Sequence, residues 1–211
     1  MIKHLFSETI AWYKSGGFSG STWPDASGTG NTATLSGSGL TTLLESGHGV
    51  SGNVLSLVGT INSKISLGNI IKEQFTVCSV TRYTGGSNQR ILQGERTNWL
   101  HGHWSGSGGV AFYDGWKTSK TGGDSLEDTD WVIMCGTNAE SQLKLVNGVD
   151  VGTVTGGSGI NLLCVNDGIY DNENSDFVIA ELVVLERGLT TVEMTDVSLF
   201  LLDKFTVAPS V

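Results

Sequence analysis

Short apolar runs alternate with clusters of Gly, Asn, Asp and Ser along almost the whole chain. Runs rich in β-branched and aromatic side chains and bounded by turn formers mark strands. On that pattern strands are expected at Thr9–Tyr13, Val54–Val58, Lys64–Leu67, Phe75–Tyr83, Arg90–Gln93, Asn98–Trp104, Gly109–Tyr113 and Trp131–Gly136. A turn-rich segment follows the first of these and runs through Ser38. Gln142–Val146 and Val149–Val154 flank Asn147-Gly148, a strong hairpin signal. A strict two-residue loop sets Leu145 opposite Asp150, whereas a bulged turn sets it opposite Val151. The second suits a buried face better, so a bulge is expected. Ile160–Val165 and Phe177–Leu185 complete the strands.

One segment changes period. Thr190-Thr191-Val192-Glu193 has the spacing of a capping box, with Thr190 as N-cap and Glu193 reaching back. After it Met194, Val197, Leu201 and Phe205 recur at helical spacing, the stripe of a short helix packed on the sandwich. Nothing marks a domain boundary or an internal repeat, and 211 residues fit one domain with a sizeable core. With 30 glycines and two prolines, the composition agrees with many strands joined by turns.

Charge narrows the partners. Twelve Lys and Arg stand against 21 Asp and Glu, a formal net charge of −9. Such a surface repels phosphate backbones and anionic lipid, so neither nucleic acid nor membrane is an expected partner. No run approaches the roughly 18 apolar residues that span a bilayer, and Met1–Glu8 lacks the apolar core of a secretory signal. Three cysteines, Cys78, Cys135 and Cys164, each lie in an apolar run with no Cys-x-x-Cys spacing. They are expected as buried free thiols, with one bridge plus one free thiol as the alternative.

Several segments, in order, resemble the laminin G-like branch of the concanavalin A-like superfamily. Trp12-Tyr13 and then Trp23-Pro24-Asp25-Ala26-Ser27-Gly28-Thr29-Gly30-Asn31 are similar to its opening segment. Phe75-Thr76-Val77 with Arg82-Tyr83 resembles its central strand, and Trp131 before Val132–Gly136 a later one, without the usual His. Leu143–Val149 is close to the family's hairpin, and Ala180–Thr190 to its ending before a short helix. The resemblance covers about residues 9–205. It implies an all-β, two-sheet antiparallel sandwich (a jelly roll) with one short C-terminal helix, and ligands on a concave face or rim loops. It also favours an extracellular, cell-surface or virion-associated setting. Lectins, hydrolases, lyases and protein-binding modules share this fold, so the site must decide among them.

The densest candidate is Trp99-Leu100-His101-Gly102-His103-Trp104, continued by Tyr113-Asp114-Gly115-Trp116. Strand alternation puts Trp99, His101 and His103 on one face and Leu100 and Trp104 on the other. The apolar pair is expected in the core and the Trp-His-His set on the open face, rimmed by Tyr113 or Trp116, with Arg82 nearby. An indole plate beside imidazoles suits a sugar, which stacks its C–H face and bonds through its hydroxyls. The same rings also fit ordinary sandwich packing. His101 and His103 become metal ligands only with a third group such as Glu95 or Asp114. Asp167, Asp171, Glu173 and Asp176 form an acidic loop that suits Ca²⁺ or, equally, solvent.

The paired-carboxylate strand of glycoside hydrolases is missing; Glu127-Asp128-Thr129-Asp130 is the nearest acidic run. Arg90–Arg96 faintly resembles a polysaccharide-lyase strand, without its companions. The expectation is therefore a non-catalytic glycan-binding module or lectin that requires no cofactor beyond a possible Ca²⁺. A structural or adhesive domain that binds a cell-surface protein is the alternative, ahead of a lyase or hydrolase.

Overall fold

A computed structural model describes residues 7–121, 129–139, 141–159 and 161–205. Glu127, Asp128 and Ile160, invoked above, lie outside them.

Among the described residues fifteen strands run in chain order: β1 (Thr9–Tyr13), β2 (Thr22–Trp23), β3 (Ala33–Gly37), β4 (Thr41–Gly47), β5 (Val50–Gly59), β6 (Ser63–Ile71), β7 (Thr76–Tyr83), β8 (Leu92–Gly94), β9 (Trp99–Trp104), β10 (Ser107–Tyr113), β11 (Val132–Thr137), β12 (Lys144–Val146), β13 (Val149–Asp150), β14 (Asn161–Val165) and β15 (Phe177–Leu185). Helix α1 (Thr191–Phe205) follows. The strands form two antiparallel sheets, the expected sandwich. The first is ordered β13-β12-β11-β7-β15-β5-β4, with β1 also on β15; the second is β10-β9-β8-β14-β6-β3-β2. No helix among the described residues is long and apolar enough to cross a membrane.

The molecule has three layers. Between the sheets, Tyr13, Trp23, Phe75, Tyr83, Trp99, Tyr113 and Phe177 pack with Ile65, Leu92 and Leu163. Beyond the first sheet, α1 lays Met194, Val197, Leu201 and Phe205 over Cys78, Val80, Ile133, Leu145 and Val183. Each fully buried apolar side chain contributes about 1.5–3 kcal/mol of transfer free energy before its ordering cost. Because both of its faces are covered, the first sheet buries every residue of β7 and β15. That explains the nearly continuous apolar sequence of β15. The capping box forms as read: Glu193 Oε2 accepts from Thr190 N–H at 2.9 Å, and Thr190 Oγ1 accepts from Glu193 N–H at 3.3 Å. The Arg187 guanidinium, followed by Thr190, holds the Glu193 carboxyl at about 2, below the usual range. Lys204 of α1 also pairs with the buried Glu181 of β15, tying helix to sheet.

Three expectations need correction. The turn-rich segment before Ser38 contains β2 and β3, and β4 follows it. β4 is an edge strand without buried residues, so no alternation marks it. The Asn147-Gly148 hairpin is strict, with Leu145 opposite Asp150 and no bulge. Leu145 faces α1, while Asp150 stays exposed at the sheet edge and accepts from Lys144 N–H (3.1 Å) and Gly152 N–H (2.9 Å). The turn needs left-handed backbone at both Asn147 (φ 48°) and Gly148 (φ 84°), which this dipeptide adopts readily. Finally, two of the three cysteines are not free. Cys78 of β7 and Cys135 of β11 are register partners, 4.1 Å apart at Cα, and form a disulfide. Cys164 stays free and buried, its thiol pushed up to about 12 by burial.

The Trp23–Asn31 segment has a structural task. The Asp25 carboxylate accepts from the N–H groups of Trp12 (2.9 Å), Ser27 (2.8 Å) and Asn31 (3.1 Å), pinning the loop to β1. Burial opposes its ionisation, but these bonds outweigh it and lower its pKa.

Candidate functional site

The alternation read on β9 is correct and its phase is reversed. Trp99, His101 and His103 point between the sheets and are at most 1% exposed. Tyr113, opposite Trp99 in the β9–β10 register, is fully buried and stacks on that indole at 5.0 Å, with Phe75 edge-on at 5.1 Å. The histidines suit this interior because each finds a polar partner there. His101 Nε2 lies 3.2 Å from the Met134 carbonyl, which can only accept, so Nε2 carries the hydrogen. Nδ1 then accepts from the Tyr113 hydroxyl at 2.6 Å. His103 Nδ1 meets Thr81 Oγ1 at 3.3 Å, and its ring stands edge-on to Tyr83. Burial depresses His101 to about 4 and His103 to about 3, so both are neutral at physiological pH. Of the set expected on an open face, the two histidines are thus hydrogen-bonded inside the core, beside the buried Trp99 indole.

Arg82 is elsewhere. It faces the outer side of the first sheet, bonds Glu45 and the Tyr83 carbonyl, and lies over the Trp131 ring at 5.4 Å. The acidic loop does not converge either. Asp167 pairs with Lys64, Glu173 with Arg90, and Asp176 accepts from the N–H groups of Ile61 (3.0 Å) and Ser87 (2.9 Å). Asp171 opens a short 3₁₀ turn ending at Glu173. Among the described residues no three His, Cys, Asp or Glu side chains come together to hold a metal, through this loop or through His101 and His103. Asp167, Glu173 and Asp176 are dispersed because each is drawn to its own cation or backbone donor.

What the fold does assemble lies on the other face of the same strands. Trp104 of β9, Phe112 of β10 and Trp116 are half-buried and in ring contact, Trp116 being 5.1 Å from Trp104 and 5.4 Å from Phe112. Trp116 reaches this place because the chain reverses at Asp114 (φ 57°) and Gly115 (φ 110°), where Tyr113 N–H donates to the Gly115 carbonyl at 3.1 Å. A left-handed backbone of this kind favours glycine. Polar groups border the rings. Trp104 Nε1–H donates to Glu173 Oε2 at 3.3 Å, Arg90 bridges Glu173 and Asn98, and the Arg90 guanidinium lies over the Tyr170 ring at 4.5 Å.

Asn98 and Phe112 also line an open cleft of about 550 Å³, with Trp99, Asp114, Ser158 and Asn161. The buried indole N–H of Trp99 has no acceptor among the described residues. Platform and cleft therefore form one continuous feature, of ordinary volume for a small-ligand site. Of the residues expected to bind sugar, Trp116 falls on it half-open, with Asp114 in the cleft and Glu173 bordering the rings. Trp104 was read as core because it is apolar, and Asn98, Phe112 and Ser158 passed unmarked. The Asp114-Gly115 turn was the available signal, since a tight reversal there folds Trp116 back onto Phe112.

No protein-family model matches the chain, and no curated protein matches its sequence. Solved structures do. Domain 4 of AbnA, an extracellular GH43 arabinanase from Geobacillus stearothermophilus solved with arabinotriose, is 17% identical with a TM-score of 0.64, over 90% of this chain and 98% of that one. A Trypanosoma rangeli sialidase mutant displaying trans-sialidase activity is 13% identical with a TM-score of 0.59, over 96% of this chain and 34% of that one. A botulinum neurotoxin type C structure, described as depending on two ganglioside molecules for cell entry, is 12% identical with a TM-score of 0.57, over 95% of this chain and 53% of that one. This chain thus matches nearly the whole arabinanase domain, about a third of the sialidase and about half of the toxin fragment. Likenesses at such identity establish the β-sandwich; they do not single out its laminin G-like branch.

Proposed function

We propose that this chain is a non-catalytic glycan-binding module of laminin G-like type, which holds sugar rings on Trp104, Phe112 and Trp116 and in the cleft beside them. One observation carries the reading: two half-buried indoles are in contact, and Trp116 meets Phe112, which lines a cleft together with amide, hydroxyl and carboxylate groups. Indole faces take the apolar C–H surface of a pyranose or furanose, and the polar walls take its hydroxyls directionally. The arabinotriose-bound domain and the ganglioside-dependent toxin share this fold and lend the reading support.

The test is a broad glycan array with the purified chain, with and without Ca²⁺, followed by Trp116→Ala. Selective binding that the variant loses while its melting temperature holds supports the proposal. A blank array from folded protein overturns it and favours recognition of a protein partner.

A further inference from the structure

A second cleft, also about 550 Å³, lies against the first and shares Asp114, Ser158 and Gly159 with it. Its remaining lining residues are Glu73, Lys117 and Gly157. Lys117 is 7% exposed. Among the described residues its ammonium reaches only the Thr155 carbonyl, at 3.4 Å, and no carboxylate comes within ion-pair distance. The buried Lys144 feels the same charge: it bonds the Gln142 carbonyl at 3.1 Å, and its pKa falls to about 8 through burial and then through Lys117, with Asp150 opposing the fall. A buried cation without a counter-charge is unfavourable, and something must compensate for it.

The backbone holds Lys117 in place. Lys117 N–H donates to the Ala111 carbonyl and Thr153 N–H to the Lys117 carbonyl, each at 2.9 Å. Gly157 lies so close to the Lys117 stem that a Cβ there would sit 3.0 Å from its Cε. The carboxylates of the cleft, Glu73 and Asp114, are exposed, as is Ser158. Exposed charges are hydrated and screened by salt, whereas a buried ammonium keeps its field.

We infer that this second cleft is a subsite for the acidic unit of a glycan, with Lys117 as the counter-ion of its carboxylate. The inference rests on the glycan-binding reading and gives it a substrate class: oligosaccharides of two or more units that carry a uronic or sialic acid. Neutral units occupy the aromatic platform and the first cleft, and the acidic unit crosses the wall formed by Asp114, Ser158 and Gly159.

An array that pairs uronic- and sialic-acid-terminated glycans with their neutral counterparts tests it. The best-binding pair is then titrated calorimetrically against the wild type, Lys117→Met and Ser158→Asp. The acidic member is expected to bind about tenfold more tightly, the effect of one charge-assisted hydrogen bond. That ratio is expected to shrink between about 50 and 500 mM salt, and to fall to near one in Lys117→Met. Removing an unpaired buried charge is expected to hold or raise the melting temperature. Should Lys117→Met fold poorly, Ser158→Asp, on an exposed side chain, is expected to weaken the acidic member more than the neutral one. Equal binding of both members by wild type, or a ratio untouched by both variants, overturns the acidic subsite and leaves glycan binding standing. A blank array overturns both.

Discussion

The two faces of β9 carry similar side chains into different surroundings. Inward, Trp99, His101 and His103 join Tyr113 and Phe75 in a dry layer between the sheets, where each imidazole has a hydrogen-bond partner. Outward, Trp104 meets Phe112 and Trp116 at a half-open surface beside a cleft. Residue type alone would assign ligand binding to the Trp-His-His row and core packing to the other. The fold instead buries the Trp-His-His row and leaves Trp104 half open, because a histidine held neutral and bonded is acceptable inside, whereas an indole tolerates water on part of its surface. Side-chain chemistry states what a residue is able to do; the packing partner states which of its roles is used.

The largest expected difference between the faces is in stability. Trp99→Ala should cost about 3–5 kcal/mol, as large-to-small changes in cores do, while Trp116→Ala should cost about 1 kcal/mol or less. Urea midpoints measure both, and similar losses for the two would break the comparison.

The next effect is in pH. His101 and His103 are depressed to about 4 and about 3 in the folded chain, against 6.5 for a free imidazole. The unfolded chain therefore binds more protons as pH falls below 6.5. Stability is full above that value and is lost progressively down to about 4 and 3, by on the order of 3 kcal/mol for His101 and about 5 kcal/mol for His103. Glu193, held near 2 by Arg187 and Thr190, acts in the same direction at lower pH, between 4.5 and 2. Unfolding curves at a series of pH values from 7 to 4 check this; a flat profile would mean that the imidazoles meet water.

Binding should separate the faces a third way. Trp116→Ala is expected to weaken glycan binding by up to about tenfold, one stacking contact. His103→Asn should act on stability and leave affinity per folded molecule unchanged, as calorimetry of the folded fraction would show. The smallest effect lies far from both faces: Thr190→Ala, which removes the cap of α1, should cost about 1 kcal/mol with no change in affinity. A change in glycan affinity there would mean that α1 communicates with the opposite sheet.

Much of the fold was legible without coordinates. Short apolar runs between Gly and Asn-Gly turns announce antiparallel strands, and Thr190 with Glu193 announces the start of α1, because these signals are local and backbone sterics enforce them. The periodicity of β9 was equally local. Its phase was not, since facing the core or solvent depends on the sheet placed against it: Gly136 leaves room for His101 and Tyr113, and the Met134 carbonyl orients the imidazole. The pairing of Cys78 with Cys135, the exposure of β4 and the dispersal of the Asp167–Asp176 carboxylates were fixed likewise by residues distant in the chain. So was the cleft that joins Asn98, Phe112 and Ser158. Periods belong to the strand itself, whereas a face, a counter-ion and a cavity each require a second segment. The sequence by itself determined the elements; only the tertiary structure decided which side of them is buried and which stays open.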